Sequence, residues 1–174
     1  MIPNPSATAA APGGCLFCAI AAGRAPAHII HRGERIVAFL DTRPIRPGHL
    51  RIIPRAHFPH FNALPLDLAR ALLNMGQRLA DAQRDVFKVD RVGFLFPAEG
   101  VPHAQLHAVP LLSAADVTAR RTAPNGRVAL PAPLSVSETA LAATGYELRA
   151  ALLRTVDNSV GWRRHPQTQS PHSR

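Results

Sequence analysis

The chain has 174 residues, 47% of them hydrophobic, enough to bury one sizeable core, and this predicts a single domain with two loose ends. Its formal net charge is +9, but the arginines are scattered, Lys88 is the sole lysine and aromatics make up only 5%, so a solvated arginine-rich surface fits better than a nucleic-acid-binding face. No apolar run approaches the roughly 18 residues that span a membrane, the N-terminus lacks the pattern of a signal peptide, and the only cysteines, Cys15 and Cys18, suit metal or thiol chemistry in a reducing compartment, so a cytoplasmic location is expected.

Residues 1–14 are rich in Ala, Pro and Gly and are expected to form a disordered arm. Short apolar runs from His28 to His31, Ile36 to Leu40 and His49 to Ile53, separated by turn residues, predict successive antiparallel strands. Pro65 opens a predicted helix in which Leu68, Leu72, Met75, Leu79 and Val86 recur at helical spacing; that stripe is core. Two further strands are predicted from Arg91 to Phe96 and from Val101 to Leu111, joined as a hairpin by a turn over Pro97 to Gly100. Residues 115–133 should be loop, and Ser135-Val136-Ser137-Glu138 offers a capping box to a helix running towards Leu153. The polar tail over 156–174 is expected to be disordered, leaving residues 15–155 as the folded domain.

The most informative segment is Val101-Pro102-His103-Ala104-Gln105-Leu106-His107-Ala108-Val109-Pro110. On a strand, residues 103, 105 and 107 share one face, which therefore carries His, Gln and His. Ala104, Leu106 and Ala108 occupy the opposite face and suit a packed layer.

This pattern resembles the histidine triad family, whose motif sets three histidines at alternate positions of one strand. Cys15-Leu16-Phe17-Cys18, the run from Ile36 to Asp41 and the run from Pro47 to His57 follow that family's order and spacing as well. The resemblance covers roughly residues 15 to 155. It implies an α+β fold, with an antiparallel sheet of about five strands, one long helix packed on it and a C-terminal helix. It also implies a homodimer that pairs the long helix and a sheet edge across a two-fold.

In that family the middle histidine attacks the α-phosphate of a nucleotide and holds it covalently. Gln105 stands in that place here. A carboxamide nitrogen, its lone pair delocalised into the carbonyl, is neither a useful nucleophile nor a base. The family's Asn-x-Gly and Ala-Gly-Gln segments, which wrap the phosphates with donors, are replaced by Val92 to Gly100, and Glu99 falls where the glutamine belongs. A carboxylate there repels a phosphate. Gln105 and His107 thus occupy the catalytic positions, and Asp41, whose counterpart contacts ribose hydroxyls, joins Phe39, Glu99, Gln105 and His107 as candidate nucleotide contacts. Asp41 also reads as a strand-end aspartate, and Phe39 as core.

The resemblance further implies that Cys15, Cys18, His57 and His103 form a Cys2His2 set, which would close the tetrahedral shell of a structural zinc. The plainer reading is a reduced thiol pair with two unrelated histidines. With His103 on a metal, His107 is the one ionisable triad member left, either a general acid or base or a hydrogen-bonding side chain. A frame shifted by one pair would make His107 the nucleophile, although the flanking Val-Pro and Ala-Val-Pro match the unshifted frame. Three functions stay open. The first is a protein that binds a purine nucleotide or other phosphorylated small molecule, with nucleotidyl transfer lost or slow. The second is a phosphoramidate or dinucleoside polyphosphate hydrolase or transferase working through His107, and the third is a zinc-stabilised protein-binding scaffold.

Overall fold

The computed structural model describes residues 14–97, 100–112, 121–122, 128–129 and 133–158. Glu99, nearly all of the expected N-terminal arm, the tail beyond 158 and most of the expected loop over 115–133 lie outside the described residues. In chain order the elements are α1 (Leu16–Ala21), β1 (Ile29–Arg32), β2 (Ile36–Leu40), β3 (Leu50–Pro54), a 3-10 turn (Phe61–Ala63), α2 (Leu66–Phe87), β4 (Arg91–Leu95) and β5 (Leu106–Leu111). They are followed by two short strands, β6 (Arg121–Thr122) and β7 (Val128–Ala129), and by α3 (Glu138–Asn158).

The first five strands make one antiparallel sheet in the order β1-β2-β3-β5-β4, an α+β architecture. Side-chain alternation divides the core between its two faces. On one face Ala38, Leu40, Leu50, Ile52, Leu106 and Ala108 pack against Leu68, Leu72, Met75 and Leu79 of α2, the predicted stripe. Helix α3 closes this layer with Leu141, Leu148 and Leu152. On the other face Val37, Phe39 and Ile53 are covered by Phe17, Ile20 and Ala21 of α1. Strand β2 is consequently buried at all five positions.

Three sequence expectations need correction. Strand β5 begins at Leu106, not Val101, because Pro102 has no N–H to give a ladder, while the His103 ring and the Ala104 N–H are drawn instead to the carbonyls of Pro54 and Phe58. The Ser135/Glu138 capping box does not form; α3 starts at Glu138, and the Ser137 hydroxyl accepts from the Ala140 N–H at 3.2 Å, as an N-cap does. Within the expected loop, β6 and β7 pair antiparallel through Arg121 with Ala129 and Thr122 with Val128, so this stretch is not wholly loop.

Candidate functional site

The cysteines reach the site from α1, where Cys15 is the N-cap and Cys18 lies in the first turn. His57 follows β3, and His103 precedes β5. The Cys18 Sγ lies 3.3 Å from His57 Nδ1 and 3.5 Å from His103 Nδ1, and Cys15 Sγ lies 3.5 Å from His103 Nδ1. A tetrahedral zinc with ordinary bond lengths sets its sulfur and nitrogen ligands about 3.6 Å apart. All four ligand atoms lie within 4.8 Å of one another, so the cluster fits a metal ion. His103 Nε2–H donates to the Pro54 carbonyl at 2.9 Å, which leaves Nδ1 as the lone pair facing the thiols. With no cation present, burial and the neighbouring Cys15 push the Cys18 thiol up to about 11; a divalent ion reverses that preference by holding thiolates.

The second group lies on the α1 side of the sheet. Cross-strand pairing places Phe39 of β2, Arg51 of β3, His107 of β5 and Leu95 of β4 in one row. His107 and Gln105 are both buried. The Ile45 N–H donates to His49 Nδ1 at 3.2 Å, so the proton of that ring sits on Nε2. His49 Nε2–H then donates to His107 Nδ1 at 2.9 Å, and His107 Nε2–H donates to Gln105 Oε1 at 2.9 Å. Both imidazoles are held neutral. Burial lowers His49 to about 4, with the Asp41 carboxylate opposing and Arg51 adding to the effect; burial, His49 and Arg51 lower His107 to about 3.

Arg51, which sequence reasoning overlooked, closes this network. Its Nε donates to Asp41 Oδ2 at 2.8 Å and its Nη1 to Gln105 Oε1 at 2.9 Å. The amide oxygen of Gln105 therefore receives two donors, one for each lone pair, which orients its NH2 away from His107 and towards the Val101 carbonyl, 3.5 Å away. Asp41 also accepts from the Arg43 N–H at 2.9 Å. The signal for Arg51 was present as a cation inside the apolar run Leu50-Arg51-Ile52-Ile53.

A cavity of about 240 Å³ opens beside this row, lined among others by Phe17, Ile20, Phe39, Asp41, Arg43 and Arg51. A second, of about 320 Å³, borders Gln105 together with Phe61, Phe96, Pro102 and His103. Of the sequence candidates, Phe39 and Asp41 border the first cavity, Gln105 borders the second, and His107 borders neither. The structure thus brings together two groups, Cys15, Cys18, His57 and His103 in one, and Asp41, His49, His107, Gln105 and Arg51 in the other.

The family profile of the HIT domain matches residues 22–111. The chain belongs to the histidine triad family. A HIT-like protein of Saccharolobus solfataricus is 33% identical over 104 residues, 57% of this chain and 75% of that protein. A bifunctional adenosine 5′-phosphosulfate phosphorylase/adenylylsulfatase of Arabidopsis thaliana is also 33% identical over 104 residues, 56% of this chain and 70% of its own length. Among solved structures, a Zn-bound histidine triad family protein from Mycobacterium smegmatis superposes with a TM-score of 0.62 at 28% identity, covering 84% of this chain and 98% of that one. Among the described residues no helix is long and apolar enough to cross a membrane.

Proposed function

We propose that this protein binds a nucleotide, or a phosphorylated small molecule of similar shape, without transferring it. The observation that carries the reading is the double hydrogen bond to Gln105 Oε1 from His107 and Arg51. In place of an attacking imidazole the site holds a carboxamide whose oxygen is saturated and whose nitrogen has no basic lone pair. His107 does not substitute for it, since Nδ1 accepts from His49 and Nε2 donates to Gln105, leaving no lone pair for a phosphorus atom or a water. This disfavours both the acid-base role and the shifted frame. The open cavity beside Phe17, Phe39 and Asp41 favours a ligand-binding protein over a pure scaffold.

In this reading the base lies in the cavity against the touching rings of Phe17 and Phe39, whose centroids are 5.6 Å apart, and Asp41 accepts from ribose hydroxyls. Cys15, Cys18, His57 and His103 hold a structural zinc, which would tie α1, the end of β3 and the segment before β5 into one unit with no open coordination position. A homodimer formed through α2 and the β4 edge belongs to the same reading. It is supported by Phe94 and Phe96, which are 43% and 44% exposed in and beside that edge strand.

The test pairs AMP titration by calorimetry with intact-mass spectrometry after incubation with adenosine 5′-phosphoramidate. Saturable binding without a covalent adduct is the expected result. An AMP adduct mapped to His107 would overturn the reading.

A further inference from the structure

Arg51 has three donor nitrogens, and two are committed, Nε to Asp41 and Nη1 to Gln105. Among the described residues Nη2 has no hydrogen-bond partner, although the side chain is only 25% exposed and borders the 240 Å³ cavity. The guanidinium is not free to swing away. Its two bonds fix the plane of the fork, and its Cζ sits 5.5 Å from the centre of the Phe17 ring, over which it stacks.

The charge around the cavity is unbalanced in one direction. Arg43 and Arg51 border it with Asp41 as the one carboxylate among its lining residues, so the wall carries a surplus positive charge. Arg51 also borders the cavity next to Asp41, within reach of the far end of a ligand whose hydroxyls lie near that carboxylate. Meanwhile the segment from Val92 to Gly100 lacks the family's Asn-x-Gly and Ala-Gly-Gln donors.

We infer that anion recognition has moved from the segment before the triad strand to β3, with Arg51 reading the phosphate monoester of a nucleoside 5′-phosphate through Nη2. This rests on the reading of the cavity as a nucleoside pocket and adds to it the group that distinguishes a nucleotide from a nucleoside. It also accounts for Gln105, since a carboxamide oxygen can accept from Arg51 and His107 together, whereas one imidazole nitrogen has a single lone pair to offer.

The experiment is calorimetric titration of the zinc-replete full chain with AMP, adenosine and adenosine 5′-carboxylate, for the wild type, Arg51→Met and Arg51→Lys. In the wild type AMP should bind at least about tenfold more tightly than adenosine, the increment ordinary for a charge-assisted hydrogen bond, and a smaller increment for the carboxylate marks the site as built for phosphate. Arg51→Met should bring the ratio of AMP to adenosine to about one, whatever it does to adenosine affinity through Asp41 and Phe17, and Arg51→Lys should fall between. Equal affinities for AMP and adenosine in the wild type, or an unchanged ratio in Arg51→Met, overturn the role of Arg51 while the nucleoside pocket stands. A carboxylate increment equal to or above that of AMP overturns the assignment to phosphate. Failure of all three compounds to bind the wild type overturns the pocket reading and this inference together. Should Arg51→Met not fold, the wild-type ratio and Arg51→Lys decide the matter.

Discussion

His49 Nε2 and His107 Nδ1 lie 2.9 Å apart, and the Ile45 N–H on the far side of His49 fixes which of them donates. One backbone amide thereby orders the protons of two buried rings and, through them, the orientation of Gln105. The chain of donors runs one way, from the Pro44 to Gly48 turn to the triad strand, and stops at an acceptor that cannot pass a proton on.

Acid should destabilise the protein partly through this pair. Folded-state values of about 4 for His49 and about 3 for His107 lie below the ordinary 6.5, so the unfolded chain binds more protons than the folded one between those limits. The stability contributed by the pair is therefore complete above pH 6.5 and declines as pH falls towards 4. The loss should be on the order of 2 kcal/mol or more. Urea unfolding from pH 7 to pH 4, in the wild type and in His107→Asn, isolates the effect; parallel curves for the two proteins would show that the rings are not held neutral.

Purified protein should carry about one zinc per chain, and Cys15→Ser should lose it. Since a closed four-ligand set contributes several kcal/mol to folding, that variant should melt roughly 10 °C lower. Elemental analysis and a melting curve check both points. Substoichiometric metal in freshly prepared wild type counts against the assignment.

Restoring a histidine at position 105 should not restore turnover. In Gln105→His the imidazole would meet the Nη1–H of Arg51, a donor aimed at the lone pair that nucleophilic attack needs. Hydrolysis of adenosine phosphoramidate should stay near background. Combining it with Arg51→Met and a family-type segment over 94–100 should raise the rate by about a hundredfold or more, the usual worth of a restored donor set. Robust turnover by Gln105→His alone would mean that Arg51 yields its position easily.

Gln83, fully buried on α2, donates from one amide nitrogen to the Gly48 carbonyl at 2.8 Å and the Ala108 carbonyl at 2.9 Å, so it braces the neighbours of His49 and His107. Gln83→Leu keeps the bulk and removes both bonds, at a cost of about 2 kcal/mol. Gln83→Glu should be worse, because a buried carboxylate would face two carbonyl oxygens. Chemical unfolding that ranks Glu above Leu would refute the brace.

The five-stranded sheet and the helices were readable because their apolar patterns are clean. Ile36 to Leu40 is a short continuous apolar run, as a strand buried on both faces requires, and Leu68 to Leu79 recur at helical spacing. The metal cluster was readable only through resemblance, since nothing in the spacing of Cys18, His57 and His103 says that the chain folds them together. Local competition was not readable. Where β5 begins depends on whether His103 and Ala104 bond to a neighbouring strand or to Pro54 and Phe58, and α3 could be capped by either of two serines two residues apart. Arg51 escaped notice for another reason. A lone arginine in an apolar strand reads as a solvent-facing residue until the pairing with Phe39 and His107 shows which face it shares.

Helix α1 has only six residues, too few to persist unaided, and it meets two neighbours at once. Cys15 and Cys18 turn towards the histidines, while Leu16, Phe17 and Ile20 form a wall of the 240 Å³ cavity. Two arginine bonds, from Arg32 to the Ala21 carbonyl at 2.8 Å and to the Ile20 carbonyl at 3.3 Å, pin its far end. A cation held by the cysteines and a ligand held against Phe17 would therefore act on the same six residues, and binding of either should favour binding of the other, with the same sign in both directions.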